Sequence, residues 1–392
     1  MVTRRQTFGL FGGAAALAAG LPSVAFAAAD TDKRLVVVLL RGAMDGLSAA
    51  PAWGDPDFER ARSGMAQADF IKLDSMFGLH ANLSGFKSLY DGGELLVVHA
   101  AATPYRDRSH FDGQNLLENG SEQPYGLDTG WLNRALAGMP GTGKPLGVAL
   151  NSHMPLMMRG AAPVTSWAPS LLPPPDGDTV MRLAALYGET DPLLAKNFAS
   201  AQGANGVAAG SGGGGAGGSG AARAFAGLMT AAAKFLTSPD GERIAMVEIG
   251  GWDTHVNQAG AFSPLSTNLR TLDGGIAALK AGLGPVWKDT AVIIVSEFGR
   301  TVAQNGTQGT DHGTGSAVFV LGGAVKGGRV LADWPGLKPG DLYQARDLKP
   351  TTDFRTVATG VLRDHMGLQG AALAAVFPSG SVIKPKDGLV RT

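Results

Sequence analysis

The strongest constraint on this chain's fold is a unit that recurs along it: a short apolar run opening at once into a polar loop. Residues 34–40 (RLVVVLL) lead into Arg41-Gly42-Ala43-Met44-Asp45-Gly46. Residues 94–99 (ELLVVH) lead into a loop running from Thr103 to Asp112. Residues 243–249 open into Gly250-Gly251-Trp252-Asp253-Thr254-His255, and residues 290–295 into Ser296-Glu297-Phe298-Gly299-Arg300-Thr301. A further polar loop, Thr310-Asp311-His312-Gly313-Thr314, comes before the apolar run 317–321. A strand with one wet face alternates apolar and polar residues, and these runs do not. They read as strands buried on both faces, as in a parallel sheet covered by helices. In such sheets ligands gather beyond the carboxyl ends of the strands. The expected fold class is therefore α/β, a doubly wound, mostly parallel sheet with helices on both faces.

Apolar spacing near 3.6 residues predicts helices at 82–90, 131–137, 179–187, 192–200, 221–236, 268–283 and 354–365. Residues 147–150 offer another strand, and the Pro-rich residues 163–178 read as a surface excursion. Residues 203–220 are a glycine, alanine and serine tract that cannot bury enough surface to order itself. Strand–loop units lie on both sides of it, and two half-sheets would each be too small. The tract is expected to be a flexible loop inside one domain spanning residues 28–392.

The amino terminus reads as an address rather than as fold. Arg4 and Arg5 stand in Thr3-Arg4-Arg5-Gln6-Thr7-Phe8-Gly9-Leu10, an Ala/Gly-rich run follows, and Ala25-Phe26-Ala27 offers a cleavage site. This is the pattern of a twin-arginine signal over residues 1–27. The expected partner is the twin-arginine export machinery, and the expected location is the periplasm or beyond. No other stretch is long and apolar enough to serve as a stable membrane anchor. Lys plus Arg and Asp plus Glu both number 33, so no basic footprint for nucleic acid stands out. The chain has no cysteine, which excludes thiolate ligands and thiol nucleophiles. Any metal must be held by His, Asp and Glu.

Read at strand ends, the chain offers Asp45, then Ser109 with His110 and Arg108, then Asp253 with His255, then Glu297, then Asp311 with His312. Carboxylates with neutral imidazoles suit zinc, manganese or another divalent ion. A hydroxyl beside such ions becomes a usable nucleophile. Arg41, Arg108 and Arg300 match the oxygens of a phosphate or sulfate, and a small anionic ester is the expected substrate. The plain alternatives are structural. Asp45 suits a turn, Glu297 suits an ion pair with Arg300, and the arginines suit a solvated surface. His80, His99, His153 and His365 fit packing or solvent better than ligation.

This order of features resembles the alkaline phosphatase–sulfatase superfamily, which includes cofactor-independent phosphoglycerate mutase. The local wording is similar to a large exported bacterial family, domain of unknown function family 1501. Its kind of blocks are Leu39-Leu40-Arg41-Gly42-Ala43-Met44-Asp45-Gly46, Arg108-Ser109-His110-Phe111-Asp112, Gly251-Trp252-Asp253-Thr254-His255 and Ser296-Glu297-Phe298-Gly299-Arg300-Thr301. The superfamily resemblance implies an alkaline-phosphatase-like fold and a hydrolase of phosphate mono- or diesters with Ser109 as nucleophile. It places Asp253, His255 and His312 on one ion, with Asp45, Glu297 and Ser109 around a second position. Sulfate esters fit less well, because Ser109-His110-Phe111-Asp112 does not match the sulfatase nucleophile motif. One departure matters: Phe298 stands where the superfamily has a histidine, and His110 is the residue at hand to replace it. That departure motivates the alternative, a non-catalytic exported binding or assembly protein on a hydrolase-like scaffold.

Overall fold

The structure is a computed structural model that describes residues 31–65, 69–140, 144–170, 172, 175–211, 220–239, 241–378 and 382–391. The expected export segment, residues 1–27, lies outside them, as do residues 212–219 of the glycine tract. In chain order the strands are β1 (Arg34–Leu40), β2 (Phe70–Lys72), β3 (Gly78–His80), β4 (Leu95–Ala102), β5 (Gly147–Leu150), β6 (Val164–Ser166), β7 (Ile244–Ile249), β8 (Thr290–Ser296), β9 (Ser316–Leu321), β10 (Arg329–Leu331) and β11 (Thr352–Asp353). Among the described residues nine of them form one sheet in the order β10-β4-β9-β8-β1-β7-β5-β6, with β11 beside β4. β2 and β3 pair separately.

β1 is the centre of this sheet, parallel to β7 on one side and to β8 on the other. Its side chains alternate between two cores. Leu35, Val37 and Leu39 pack with the helices Trp131–Ala137 and Phe354–Asp364. Val36, Val38 and Leu40 pack with Ser84–Asp91, Gly220–Thr237 and Pro264–Leu283 on the other face. This two-sided burial is why the run carries no polar residue between Leu35 and Leu40, and each such side chain contributes about 1.5–3 kcal/mol. The fold class is the expected one, a mostly parallel sheet between two layers of helices.

β9 is the exception that matters for function. It runs antiparallel to both β4 and β8. Its amino end therefore lies at the same edge as the carboxyl ends of its neighbours. The loop before β9, with Asp311 and His312, reaches the same crevice as the loops that follow β1, β4, β7 and β8.

Three local expectations need correction. Residues 163–178 contain β6, which extends the sheet edge parallel to β5. The helix Pro192–Val207 runs into the glycine tract, carried by alanines and by the buried Ala204, so the tract is not wholly a loop. The helix Pro264–Leu283 starts four residues before the expected 268, and the buried Leu265 already lies on its apolar face. Ser263 caps it by accepting from Ser266 N, and Pro264 fits the first helical position, where an N–H has no partner anyway. Among the described residues no helix is long and apolar enough to cross a membrane.

Candidate metal centre

Backbone pairing brings the loops together before any side chain is considered. Gly42 has φ +120, and a Cβ there would stand 2.6 Å from Asp253 N, so the β1 loop can touch the β7 loop only through glycine. Trp252 is fully buried and donates its indole N–H to Ile249 O at 3.1 Å, which anchors the loop carrying Asp253 and His255. The loops after β8 and before β9 zip together. Thr301 N donates to Asp311 O and Gly313 N to Gly299 O, both at 2.8 Å. Gly313 has no room for a side chain, since a Cβ would lie 2.4 Å from the Arg300 carbonyl. That close pairing fixes His312. The chain after β4 starts the helix His110–Asn119, with Ser109 as its N-cap.

Three imidazoles and one carboxylate converge here. His312 Nε2 lies 2.9 Å from His110 Nε2 and 3.0 Å from His255 Nε2. Asp253 Oδ1 lies 2.9 Å from His255 Nε2 and 3.2 Å from His312 Nε2, and its Oδ2 lies 3.5 Å from His110 Nε2. His110, Asp253 and His312 each offer a ligand atom within 4.8 Å of the others, and His255 joins them through Asp253 and His312.

The other ring nitrogens settle the tautomers. His312 Nδ1 sits 2.9 Å from the Arg108 carbonyl, which can only accept, so Nδ1 carries the proton. Arg108 has φ +64, a left-handed conformation that helps aim this carbonyl. His110 Nδ1 donates to Glu297 Oε1 at 2.7 Å, and His255 Nδ1 faces Asp311 Oδ1 at 3.2 Å. On neutral rings all three Nε2 lone pairs then face one another and the Asp253 carboxylate. Lone pairs at such distances repel unless a cation or proton stands between them. One proton on His110 relieves its contact with His312, but His255 still faces His312 and Asp253 with no donor. A divalent ion between His110, Asp253 and His312 relieves these contacts, with His255 at its side. Tetrahedral zinc with ligands at about 2.0–2.1 Å spaces its ligand atoms roughly 3.3 Å apart; His312 Nε2 stands 2.9 Å from His110 Nε2 and 3.2 Å from Asp253 Oδ1, close to that value. Histidine ligands that donate their second N–H to a carboxylate or carbonyl are the usual outer-shell arrangement of such sites. The residues present therefore fit a divalent metal.

The surroundings tune these groups. The hydrogen bond to Glu297 raises the pKa of His110, against its burial. Burial lowers that of His312, and His110 pushes the same way. An ion entering the centre would displace the His110 proton. Burial alone would raise the Glu297 carboxyl, but hydrogen bonds from His110, Gln114 and the Gly42 backbone outweigh it and hold the group ionised. Burial also opposes ionisation of Asp253, and Arg300, itself almost fully buried, overcomes it with an ion pair at 2.5 Å. Phe298 is buried and stacks on His110 with ring centroids 5.0 Å apart. It supplies no ligand, and it forms a wall that limits rotation of that imidazole.

Of the residues expected from the sequence, Asp253, His255 and His312 meet, and His110 completes the set. Glu297 and Asp311 stand one hydrogen bond further out, orienting His110 and His255. Asp45 lies elsewhere. Its carboxylate is buried, caps the short helix Gly46–Ala49 and pairs with Arg62 at 2.6 Å. Asp45 and Glu297 therefore do not gather into a second ligand set. Arg41 is taken up by Glu248 and Glu118, Arg108 by Asp347, and Arg300 by Asp253, so none presents a free guanidinium to the centre. Ser109 is half-buried next to His110, its Oγ accepting from Asp112 N at a long 3.5 Å. His80, His99 and His365 are buried, and His153 is exposed, as expected. Gln114, Asn305 and Thr310 are supporting residues with no motif signal; only the structure shows that they brace Glu297, Asp311 and Arg300.

Fold and site together define an α/β protein whose strand ends assemble a histidine-rich cluster able to hold a divalent ion. The chain belongs to the DUF1501 family, described as protein of unknown function, which matches residues 96–377. No curated protein matches it. Among solved structures it is similar to the zinc complex of the C-terminal periplasmic domain of EcEptC from Escherichia coli, at 8% identity, 74% of this chain, 73% of that chain and a TM-score of 0.35. It is similar to the lipoteichoic acid synthase LtaP from Listeria monocytogenes at 9% identity, 81% and 71% coverage and a TM-score of 0.33. It is also similar to the phosphonate monoester hydrolase of Agrobacterium radiobacter, at 12% identity, 89% and 78% coverage and a TM-score of 0.33.

Proposed function

We propose that the chain is an exported metal-dependent hydrolase of phosphate mono- or diesters. The observation that supports this most is the convergence of ring nitrogens on Asp253. Three imidazoles tie Nδ1–H to Glu297, Asp311 and the Arg108 carbonyl and turn Nε2 toward one carboxylate. His110, Asp253, His255 and His312 would hold the ion, with zinc or manganese the proposed identity. A divalent ion held there supplies Lewis acidity, neutralising charge that develops on phosphoryl oxygens. Ser109 is the proposed nucleophile. It caps a ten-residue helix whose amino-terminal N–H groups and dipole favour negative charge. Its Oγ bonds to phosphorus as the ester oxygen departs, and the serine proton ends on the leaving alcohol. Water then cleaves the phosphoserine and restores the hydroxyl.

The test joins elemental analysis of natively purified protein to a panel of phosphate and sulfate esters. Stoichiometric zinc or manganese with phosphoester turnover is expected; no metal, and no gain on reconstitution, would leave a binding protein on this scaffold. Ser109→Ala is expected to keep the ion and lose turnover, at a cost of about 1 kcal/mol from the weakened cap. If that variant still turns over, direct attack by water replaces the serine route.

Export by the twin-arginine route is part of the proposal and rests on Arg4 and Arg5. Replacing both with Lys should leave unprocessed precursor in the cytoplasm. Mature protein reaching the periplasm at the normal level would rule that route out.

A further inference from the structure

A groove of about 280 Å³ lies beside the centre, between the helix His110–Asn119 and residues 153–159. Two aromatic rings stand at it in the open: Phe111 is 83% exposed and Tyr125 is 66% exposed. Neither contributes to the core, so packing does not account for them, although the Tyr125 hydroxyl has the Asp112 carboxylate as a neighbour. Tyr125 is held in place all the same. Its backbone N donates to Asn115 Oδ1 at 2.5 Å, and its φ of +58 is a conformation that a bulky residue keeps only when its surroundings impose it. Strain of this kind collects at ligand clamps.

The charges around the groove divide into spent and open. Arg41 is held by Glu118 and Glu248. Arg159 spends its Nε on Met154 O, and among the described residues its terminal nitrogens carry no hydrogen bond. Gln114 also lines the groove, and it donates to the same Glu297 oxygen that accepts from His110. Groove and centre therefore share a wall.

We infer that this groove is a second binding site, for a flat aromatic group carrying a negative charge. The rings of Phe111 and Tyr125 offer π-faces, and Arg159 offers the countercharge. On the proposed hydrolase reading, on which this role depends, the groove takes the leaving alcohol of the ester.

The test is titration calorimetry of the full chain, metal retained, with naphthalene-1-sulfonate and cyclohexanesulfonate, which share a charge and differ in aromaticity. The naphthalene compound should bind more tightly. Phe111→Ala and Tyr125→Ala should each weaken it about 3- to 10-fold, and Arg159→Gln should weaken both compounds. Both aromatic side chains are exposed, so the variants should fold. Equal binding of the two sulfonates, or binding that ignores the aromatic variants, overturns the proposal. The same titration on His312→Ala separates the two ideas. Binding that persists there, with no esterase activity in the parent, sinks only the hydrolase reading. Binding that vanishes there places the probe at the centre and sinks the groove.

Discussion

His312→Ala should lower the metal content of the centre and, on the proposed hydrolase reading, abolish ester hydrolysis. His312 Nε2 is the hub of the cluster, within 2.9–3.2 Å of His110, His255 and Asp253. Without it the remaining donors lose the member that links them. Loss of an outer partner of a ligand typically costs 10–100-fold in affinity, so loss of this ligand should cost at least about 100-fold. The fold should survive, because His312 is held by the backbone pairs of residues 299–301 with 311–314 rather than by its side chain. Elemental analysis after native purification, set beside a melting curve, reads both quantities. A folded variant with stoichiometric metal would remove His312 from the ligand set. With it would go the argument from convergent lone pairs.

The fold was legible because burial on both faces leaves a plain mark. A run such as Leu35 to Leu40 has no other comfortable place than the middle of a covered sheet. The candidate ligands were legible for a related reason: Asp253, His255 and Glu297 closely follow such runs, and Asp311 and His312 stand just before one. What the sequence could not show was direction. Residues 316–321 are equally apolar in either orientation, so nothing local said that β9 runs backwards and brings Asp311 and His312 to the shared edge. Nor could it separate a ligand from a ligand's partner. Glu297 and Asp253 occupy similar positions after strands. Yet Glu297 is fully buried beneath His110 while Asp253 opens to solvent, and that difference is set by contacts from Gln114 and Gly42, which come from distant segments. Asp45 shows the same limit. Its place after β1 suited a ligand, but Arg62, from a segment with no motif, claims it.

Asp45→Asn should therefore destabilise the protein strongly and leave the metal in place. Asp45 is 1% exposed and Arg62 3%, and the two form an ion pair at 2.6 Å. Asparagine keeps the oxygen that caps Leu47 N and Ser48 N, but it puts an N–H donor where Oδ2 accepts from Gln258 Nε2 and Ser48 Oγ, so the change removes the charge and those acceptor contacts together. It leaves a guanidinium buried without its counterion, which typically costs about 3–5 kcal/mol, or roughly 4–6 °C in melting midpoint for a chain of this size. The pH dependence carries a sign. Burial alone would raise the Asp45 pKa, but Arg62, Ser48 and Gln258 lower it below its ordinary 3.8. The pair's stabilisation is thus complete above the unfolded-state pKa and fades as pH falls through the lower folded-state value. The gap between parent and variant should be widest near neutral pH and narrow in strong acid. Melting curves across that range, with metal content measured on both proteins, decide the matter. A variant as stable as its parent but poor in metal would return Asp45 to the ligand set, and the Arg62 pair would then be incidental.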